Sequence, residues 1–355
     1  MKRIGLRPGN HGSYFQPVPA VTITLDPLKS NLTFQTPQGA LTPKLPDDTV
    51  YWTPQFASGE VKLARSPLIF VGYGVVAPEY HWNDYANIDV KGKTVVVLIN
   101  DPGNEDPHPD PNFFKGKAMT YYGRWTYKFE EAARHGAAAA IIVHETEPAA
   151  YGWQVVRSSN SGARSWLDAA DKNSSKVPVE GWVTLDTARD LFSRAGHSYD
   201  QLKVAANRRG FKAVPMTGET LSADLHSTIT YMTTRNVIGV VRGSKYPGDY
   251  VLYTAHWDHL GVKPDPPGPP KIYNGAVDNA LGVSGILEIA EAFTHDQTPP
   301  QRSIAFICWT MEEQGLLGSR YFRSIRYGHS IISLAASILT PICPKAARTT
   351  WLSSD

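Results

Sequence analysis

The chain has 355 residues, of which 42% are hydrophobic and 19% are charged, and its formal net charge is +2. That length suffices for two domains with buried cores, and the composition is ordinary for a globular protein. The small net charge argues against nucleic acid or an anionic membrane surface as the main partner. No apolar stretch approaches the roughly 20 residues of a transmembrane helix. The first residues also lack the apolar core of a signal peptide.

Two short runs near the N-terminus alternate apolar and polar side chains, at 21–25 and 31–35. This period of two predicts half-buried strands, and the pair Asp26-Pro27 between them predicts a turn. A proline-rich passage follows at 43–54 and is interpreted as a linker.

The block from about 66 to 210 is predicted to be a separate small domain. Unbroken β-branched runs and helical spacing predict its main elements, which are strands at 93–99 and 137–144 and a helix at 125–135. Gly136 is expected to terminate that helix. A further helix is predicted after 182–185, with Asp186 as its N-terminal cap.

The third block alternates strands and helices. Its predicted elements are strands at 236–242, 249–255 and 303–310 and helices at 283–293 and 314–322. Such alternation predicts an α/β fold in which helices cover both sides of a mostly parallel sheet.

Metal-binding side chains follow the ends of two of these strands. His256 comes directly after 249–255, and Glu312 and Glu313 come directly after 303–310. Asp278 lies in the loop that opens the next helix. Ligand sites of open α/β sheets form beyond the carboxyl ends of the strands, so these side chains are predicted to meet on one rim.

Each side chain has a role in a predicted zinc-hydrolase site. His256 would bind metal through one ring nitrogen, while Asp258 accepts the N–H of the other. Asp278 has two oxygens and would bridge two ions. One glutamate of the pair would bind metal, and its neighbour would take a proton from the water between the ions. The pattern therefore favours two zinc ions and a water-activating base.

Taken singly, these features have ordinary structural explanations. A His-x-Asp pair at a strand end is usually structural, a Glu-Glu pair is usually solvated, and Asp278-Asn279 alone would indicate a turn and helix cap. Only their joint placement favours a metal site. The remaining histidines are interpreted as structural because none belongs to a cluster; they include His259, His81, His135, His144 and His226.

Three motifs together resemble a known family. The segments 255–261, 274–282 and 310–320 are similar to those of the co-catalytic di-zinc aminopeptidases, a family that includes glutamate carboxypeptidase and the transferrin receptor. The similarity covers roughly residues 10 to 325. Segments of the middle block resemble the protease-associated domain that many members carry; they lie at 70–74, 92–97 and 132–138.

The resemblance implies roles for individual residues. His256 would bind one zinc and Glu313 the other. Asp278 would bridge them, with a cis peptide bond to Asn279, and Glu312 would be the general base. It further implies peptide substrates shortened by one N-terminal residue at a time, and a periplasmic or secreted parent protein.

The resemblance also implies a domain order. A peptidase domain would comprise 1–60 and 214–325 and would be interrupted by a β-rich protease-associated domain at 61–213. The family supplies one further Asp and a final His downstream, whereas this sequence has no Asp or Glu between Glu313 and Asp355. We therefore expect a chain truncated at both ends, an aberrant, frameshifted tail at 326–355, fewer or weakly bound zinc ions, and impaired activity.

Other functions stay open at this point. A receptor-like binding protein would keep the fold without catalysis, although the intact His256, Asp278, Glu312 and Glu313 argue against it. A carboxypeptidase of the same fold would act on a C-terminal acidic residue. A glutaminyl cyclase-like enzyme would use one zinc, and an inserted protease-associated domain argues against that reading.

Overall fold

The computed structural model describes residues 1–263, 268–325 and 336–338. The predicted tail at 326–355 therefore lies, apart from 336–338, outside the described residues. By internal packing the chain divides into two compact units. Unit 1 comprises Met1–Val21, Ser165–Asp168 and Tyr231–Asp355, and unit 2 comprises Thr22–Arg164 and Ala169–Thr230.

The strands are labelled β1 to β18 in chain order and are Arg7–Pro8, Phe15–Leu25, Asn31–Thr36, Gly39–Leu41, Thr49–Trp52, Glu60–Phe70, Val76–Ala77, Trp82–Asn83, Thr94–Leu98, Ala139–His144, Arg164–Leu167, Val179–Thr184, Val214–Val241, Tyr246–His256, Gly261–Lys263, Lys271–Tyr273, Arg302–Trp309 and Ala336–Ile338. The α-helices, α1 to α7, are Trp125–Arg134, Thr146–Ala149, Trp153–Asn160, Leu185–Arg194, Tyr199–Ala206, Leu281–His295 and Leu317–Ser324. Short 3₁₀ turns lie at Lys2–Ile4 and Pro78–Tyr80. Among the described helices, none combines the length and the apolar character that crossing a bilayer requires.

Unit 2 is built on a sheet whose central strands are parallel. β10 pairs in parallel with both β9 and β12, and β6 adds to the far side of β9. Every residue of β9 and β10 is buried, as expected of strands covered on both faces. The predicted strands at 93–99 and 137–144 and the helix at 125–135 are confirmed, and Gly136 follows that helix at φ 70°.

Two predictions in unit 2 are wrong in detail. The passage at 43–54 is not a linker, because Thr49–Trp52 forms the fully buried strand β5, antiparallel to β12. Its β-branched and aromatic side chains favour a strand despite the flanking prolines. The cap of α4 is Thr184, whose hydroxyl accepts a hydrogen bond from the backbone N–H of Thr187, and not Asp186.

The packing boundaries of the units fall inside strands. Val21/Thr22 lies within β2, and Thr230/Tyr231 lies within β13. The domain boundaries that the resemblance implies, at 60/61 and 213/214, differ from these packing boundaries. The identity of the insert as a protease-associated domain stays a prediction.

Unit 2 contains a carboxyl group whose ionisation opposes folding. Glu219 in β13 is 1% exposed, and neither of its carboxylate oxygens has a hydrogen-bond partner among the residues that the structure describes. Burial raises the pKa of Glu219 to about 7. The folded protein therefore binds a proton that the unfolded chain, with a Glu pKa of about 4.3, releases.

We predict that Glu219→Gln stabilises the protein at neutral and alkaline pH. Because the folded pKa is raised, the cost of Glu219 is absent below about pH 4.3, grows as the pH rises toward about 7, and is constant above that. The difference in melting temperature between variant and wild type should thus increase from pH 5 to pH 8. A difference that does not change with pH, or one that favours the wild type at pH 8, would contradict the burial argument.

Unit 1 carries the alternating α/β segment. β14 pairs in parallel with β17 and with β18, while β13 is antiparallel to β17 through residues 237–241. The α/β class is thus confirmed, with a sheet of mixed direction. In α6, Ile286 and Ala290 are buried in the same apolar core as Phe306 of β17. This packing fixes α6 beside the strands whose ends carry the predicted ligands.

A four-residue segment from the middle of the chain also belongs to unit 1. In Ser165–Asp168, the N–H of Asp168 donates to the carbonyl of Pro19 over 3.1 Å, and the N–H of Ser165 donates to the side chain of Gln314 over 3.2 Å. Leu167 packs against a small core formed by Ala20, Met311 and Leu317. The segment therefore covers the residues that flank the Glu-Glu pair.

Candidate metal centre

The ends of β14 and β17 lie side by side. His256 is paired with Trp309 at the last register position of these parallel strands, and the N–H of Trp257 donates to the carbonyl of Trp309 over 3.0 Å. The chain leaves both strands at the same edge of the sheet. The rim predicted from the sequence is present, and the predicted ligands start from it.

His256 lies at the centre of the site and is 6% exposed. Its Nδ1 lies 2.9 Å from the backbone carbonyl of Asp258, and its Nε2 lies 2.9 Å from Oδ1 of Asp278 and 3.7 Å from Oε2 of Glu312. A carbonyl only accepts, so Nδ1 must be the donor. Nε2 of a neutral ring then faces the Asp278 carboxylate with its lone pair, an arrangement that requires a proton or a metal ion between the two atoms.

Asp258 acts differently from the prediction. Its carboxylate Oδ1 is 3.8 Å from Nδ1 of His256, too far for a hydrogen bond, and the backbone carbonyl of the same residue takes that place. The carboxylate instead accepts the backbone N–H of Glu312 over 3.1 Å. The backbone carbonyl of Asp258 therefore reaches the His256 ring, and the Asp258 carboxylate binds the loop that carries Glu312. Burial raises the pKa of Asp258.

The Asp278 loop is fixed by its neighbour. The peptide bond between Asp278 and Asn279 is cis, as the resemblance implies. The side-chain oxygen of Asn279 accepts the N–H of Gly282 over 3.0 Å at the start of α6, and Asn279 is buried. Asp278 itself stays about half exposed, with its carboxylate directed at His256. One oxygen thus faces the ring while the other remains available.

The Glu312-Glu313 loop is a tight turn between β17 and α7. The N–H of Leu317 donates to the carbonyl of Met311, and that of Gly318 donates to the carbonyl of Thr310, each over 3.0 Å. Met311 adopts φ 53° and Leu316 φ 61°, left-handed conformations that break a helix. The helix therefore begins at Leu317 and not at the predicted Gln314.

A buried asparagine holds both ends of this turn. Asn236 of β13 is fully buried, and its side-chain oxygen accepts the N–H of Thr310 over 3.1 Å. Its amide donates to the carbonyl of Gly318 over 2.9 Å and to the side chain of Gln16 over 2.8 Å. A Cβ atom at Gly318 would lie 2.4 Å from the Asn236 oxygen, so only glycine fits there. The sequence pattern predicts Asn236 only as the first residue of a strand and gives no sign of these hydrogen bonds.

Charges in the site favour protonated forms. For Glu312, burial and the nearby carboxylates of Glu313, Asp258 and Asp278 raise the pKa, against the opposing effect of His256. For His256, burial opposes protonation, but the Asp258 carbonyl and the carboxylates around the ring raise its pKa on balance. A carboxyl whose pKa is raised toward neutrality is suited to accept and return a proton.

His259 belongs to the site, which corrects the interpretation of this residue as structural. Its Nδ1 lies 2.6 Å from Oε1 of Glu313, and the two side chains are 21% and 20% exposed. The loop after β14 turns back and places His259 beside the second loop, a path that no strand or helix pattern predicts. The available signal was the spacing of two histidines three residues apart beside a predicted ligand.

The donor set fits zinc. Two groups of ligand atoms, each within 4.8 Å of one another, are formed by His256, Glu312 and Glu313 and by His259, Asp278 and Glu313. Imidazole nitrogens with carboxylate oxygens are typical zinc ligands. Glu313 is common to both groups, and Asp278 lies within hydrogen-bond distance of His256 and within 4.8 Å of the ligand atom of His259.

The residues of the site lie in a segment that is similar to a known family. Residues 236–337 match peptidase family M28. The matched segment contains the whole cluster, which comprises His256, Asp258, His259, Asp278, Glu312 and Glu313.

Individual proteins are similar to parts of the chain. A glutamate carboxypeptidase 2 homolog of Caenorhabditis elegans is 36% identical over 109 residues, which are 30% of this chain and 13% of that protein. The mouse aminopeptidase NAALADL1 is 31% identical over 109 residues, with the same coverage of 30% and 13%. The chain therefore matches about an eighth of the length of these relatives. A solved aminopeptidase from Aneurinibacillus sp. strain AM-1 aligns at a TM-score of 0.43 and 19% identity over 91% of this chain and 57% of that one.

Proposed function

We propose that the chain is a zinc-dependent exopeptidase that removes N-terminal residues from peptides. One observation carries the proposal: Nε2 of His256 and Oδ1 of Asp278 face each other at 2.9 Å, with Glu312 at 3.7 Å from the same nitrogen. Two acceptors facing each other beside a second carboxylate is an arrangement that a divalent cation would stabilise. The match of the surrounding segment to peptidase family M28 supports peptide hydrolysis as the reaction.

The residues of the site have distinct tasks in this proposal. His256, Asp278 and Glu313 would hold zinc, which when bound lowers the pKa of a coordinated water toward ~7. Glu312 would take a proton from the water whose oxygen bonds to the peptide carbonyl carbon, and would return it to the leaving amine as the C–N bond breaks. The backbone carbonyl of Asp258 binds the His256 ring, and its carboxylate accepts the N–H of Glu312. These two contacts fix the position of the ligand His256 relative to the base Glu312.

Two further parts of the proposal concern the rest of the protein. We infer that the insert predicted at 61–213 is a protease-associated domain, on the strength of its motifs at 70–74, 92–97 and 132–138. The parent protein would act in the periplasm or outside the cell. Both inferences derive from the same resemblance as the site.

Hydrolysis of leucine p-nitroanilide tests the proposal. We expect nitroaniline release that requires zinc and stops on chelation, and no release from N-acetyl-leucine p-nitroanilide. Release that persists in a chelator, or that is equal for the blocked and free substrates, would overturn the proposal.

A carboxypeptidase is the second candidate, since one similar protein is named a glutamate carboxypeptidase 2 homolog. An N-acetylated dipeptide with a C-terminal glutamate separates the two functions. Zinc-dependent release of free glutamate from that peptide, without cleavage of leucine p-nitroanilide, would replace aminopeptidase by carboxypeptidase activity.

A further inference from the structure

We infer that His259 is a direct zinc ligand, and that His259, Asp278 and Glu313 together form a zinc site of this chain. The inference rests on the proposed zinc chemistry and adds to it a ligand at a position that the motif resemblance leaves without a role. It predicts a principal zinc site in which the second histidine of His256-Trp-Asp-His259 contributes a nitrogen.

The ligand count favours this group. Catalytic zinc sites use three protein ligands and leave one position for water. His259, Asp278 and Glu313 supply three ligand atoms within 4.8 Å of one another. The other group whose ligand atoms all lie within 4.8 Å of one another is His256, Glu312 and Glu313, and it includes the glutamate that the proposed function assigns as the base. If Glu312 acts as the base and does not bind zinc, His259, Asp278 and Glu313 form the group that still has three ligands.

The charge of the group and the distance between His259 and Glu313 also favour His259 as a ligand. Nδ1 of His259 lies 2.6 Å from Oε1 of Glu313, so the two side chains are hydrogen-bonded and would move slightly apart to share a tetrahedral zinc ion. Two carboxylates and one neutral imidazole would balance the charge of a dication. Zinc–ligand distances of about 2.0–2.2 Å place two ligands of one ion at most ~4.4 Å apart. The ligand atoms of His259, Asp278 and Glu313 lie within 4.8 Å of one another, so they need only small side-chain movements to reach one ion.

The backbone around His259 is shaped for this position. Gly275 has φ 62°, and a Cβ atom there would lie 2.9 Å from the Cβ of His259 and 2.8 Å from the carbonyl of Asp278. Glycine therefore allows the Asp278 loop to approach the His259 loop. The imidazole also lies near the Tyr273 ring, with 6.4 Å between centroids. His259 and Asp278 are thus held together by the fold before any ligand binds, which is the preorganisation that a metal site needs.

Replacement of His259 by cysteine tests the inference directly. Cysteine can also bind zinc, and a thiolate bound to Co²⁺ gives a sulfur-to-cobalt charge-transfer band in the near ultraviolet. We expect the His259→Cys protein, loaded with Co²⁺, to show this band at one equivalent per chain. His295→Cys is the matched control: His295 lies exposed at the end of α6, outside both ligand groups, and should give no additional band.

Zinc titration of His259→Ala supplies the second measurement. Loss of a direct ligand should weaken zinc binding more than the 10–100-fold typical of an indirect partner, while His295→Ala keeps the wild-type affinity. Wild-type zinc binding with an unchanged His259→Ala affinity and no charge-transfer band in His259→Cys would refute His259 as a ligand and leave the proposed function standing. A wild-type protein that binds no zinc would overturn both. Circular dichroism of each variant checks that it is folded.

Discussion

Glu312→Gln should lower zinc-dependent hydrolysis by about 10²–10⁴-fold, the usual contribution of a general acid–base group, while the protein keeps its zinc. Glutamine has nearly the shape of glutamate but cannot accept the proton of a metal-bound water. The backbone N–H of residue 312 still donates to Asp258, so the loop should keep its position. The measurement is the rate on leucine p-nitroanilide together with the zinc content after dialysis.

Glu313→Gln is the matched control for this prediction. The two glutamates are adjacent, yet only Glu313 belongs to both groups of ligand atoms. Its replacement should therefore release zinc and abolish hydrolysis together. If Glu312→Gln instead loses its zinc, Glu312 is a ligand and the assignment of the base is wrong. If it keeps both zinc and full activity, another group moves the proton.

Asn236→Ala should lower the free energy of unfolding by about 2–4 kcal/mol, because buried polar groups that lose their partners each cost about 1–3 kcal/mol. The substitution removes hydrogen bonds to Thr310, Gly318 and Gln16 in a site that water does not reach. The N–H of Thr310 and the carbonyl of Gly318, at the two ends of the Glu312-Glu313 turn, would stay buried and lose their hydrogen bonds to Asn236. Zinc affinity should fall as well, since the turn positions Glu313.

Urea unfolding followed by tryptophan fluorescence measures the stability, and hydrogen exchange at the amides of Thr310 and Gly318 localises the effect. Ser319→Ala is the control on the same helix: its exposed hydroxyl donates to the carbonyl of Leu316. Its loss should change the stability by no more than about 0.5 kcal/mol. An Asn236→Ala protein as stable as Ser319→Ala would show that the turn holds itself without the asparagine.

Much of the site could be predicted because it follows from strand ends. His256, Glu312 and Glu313 each follow an apolar run that the sequence shows plainly, and parallel strands place their carboxyl ends at one edge. Asp278 was predicted from its position in the loop that opens the following helix, and the structure brings it to 2.9 Å from His256. These positions depend on local periodicity and one general rule of topology.

The parts that could not be predicted depend on loops and tertiary contacts. His259 joins Glu313 because a short loop reverses direction, and Asp258 uses its carbonyl because the backbone curls back on His256. Neither event leaves a periodic signal. Asn236 acts across three sequence-distant segments, which pattern analysis of one segment does not reveal. The strand Thr49–Trp52 was missed because flanking prolines outweighed its β-branched and aromatic residues.

The Ser165–Asp168 segment has a practical consequence for protein engineering. A shortened protein made by excising 22–230 and joining the flanking segments would also lose these four residues. Met311 and Leu317 would then lose the cover of Leu167, and Gln314 would lose its bond to the Ser165 backbone. A shortened protein would need a replacement patch there, such as a short tethered peptide carrying the Ser-Trp-Leu-Asp sequence, placed across the turn next to the glutamate pair.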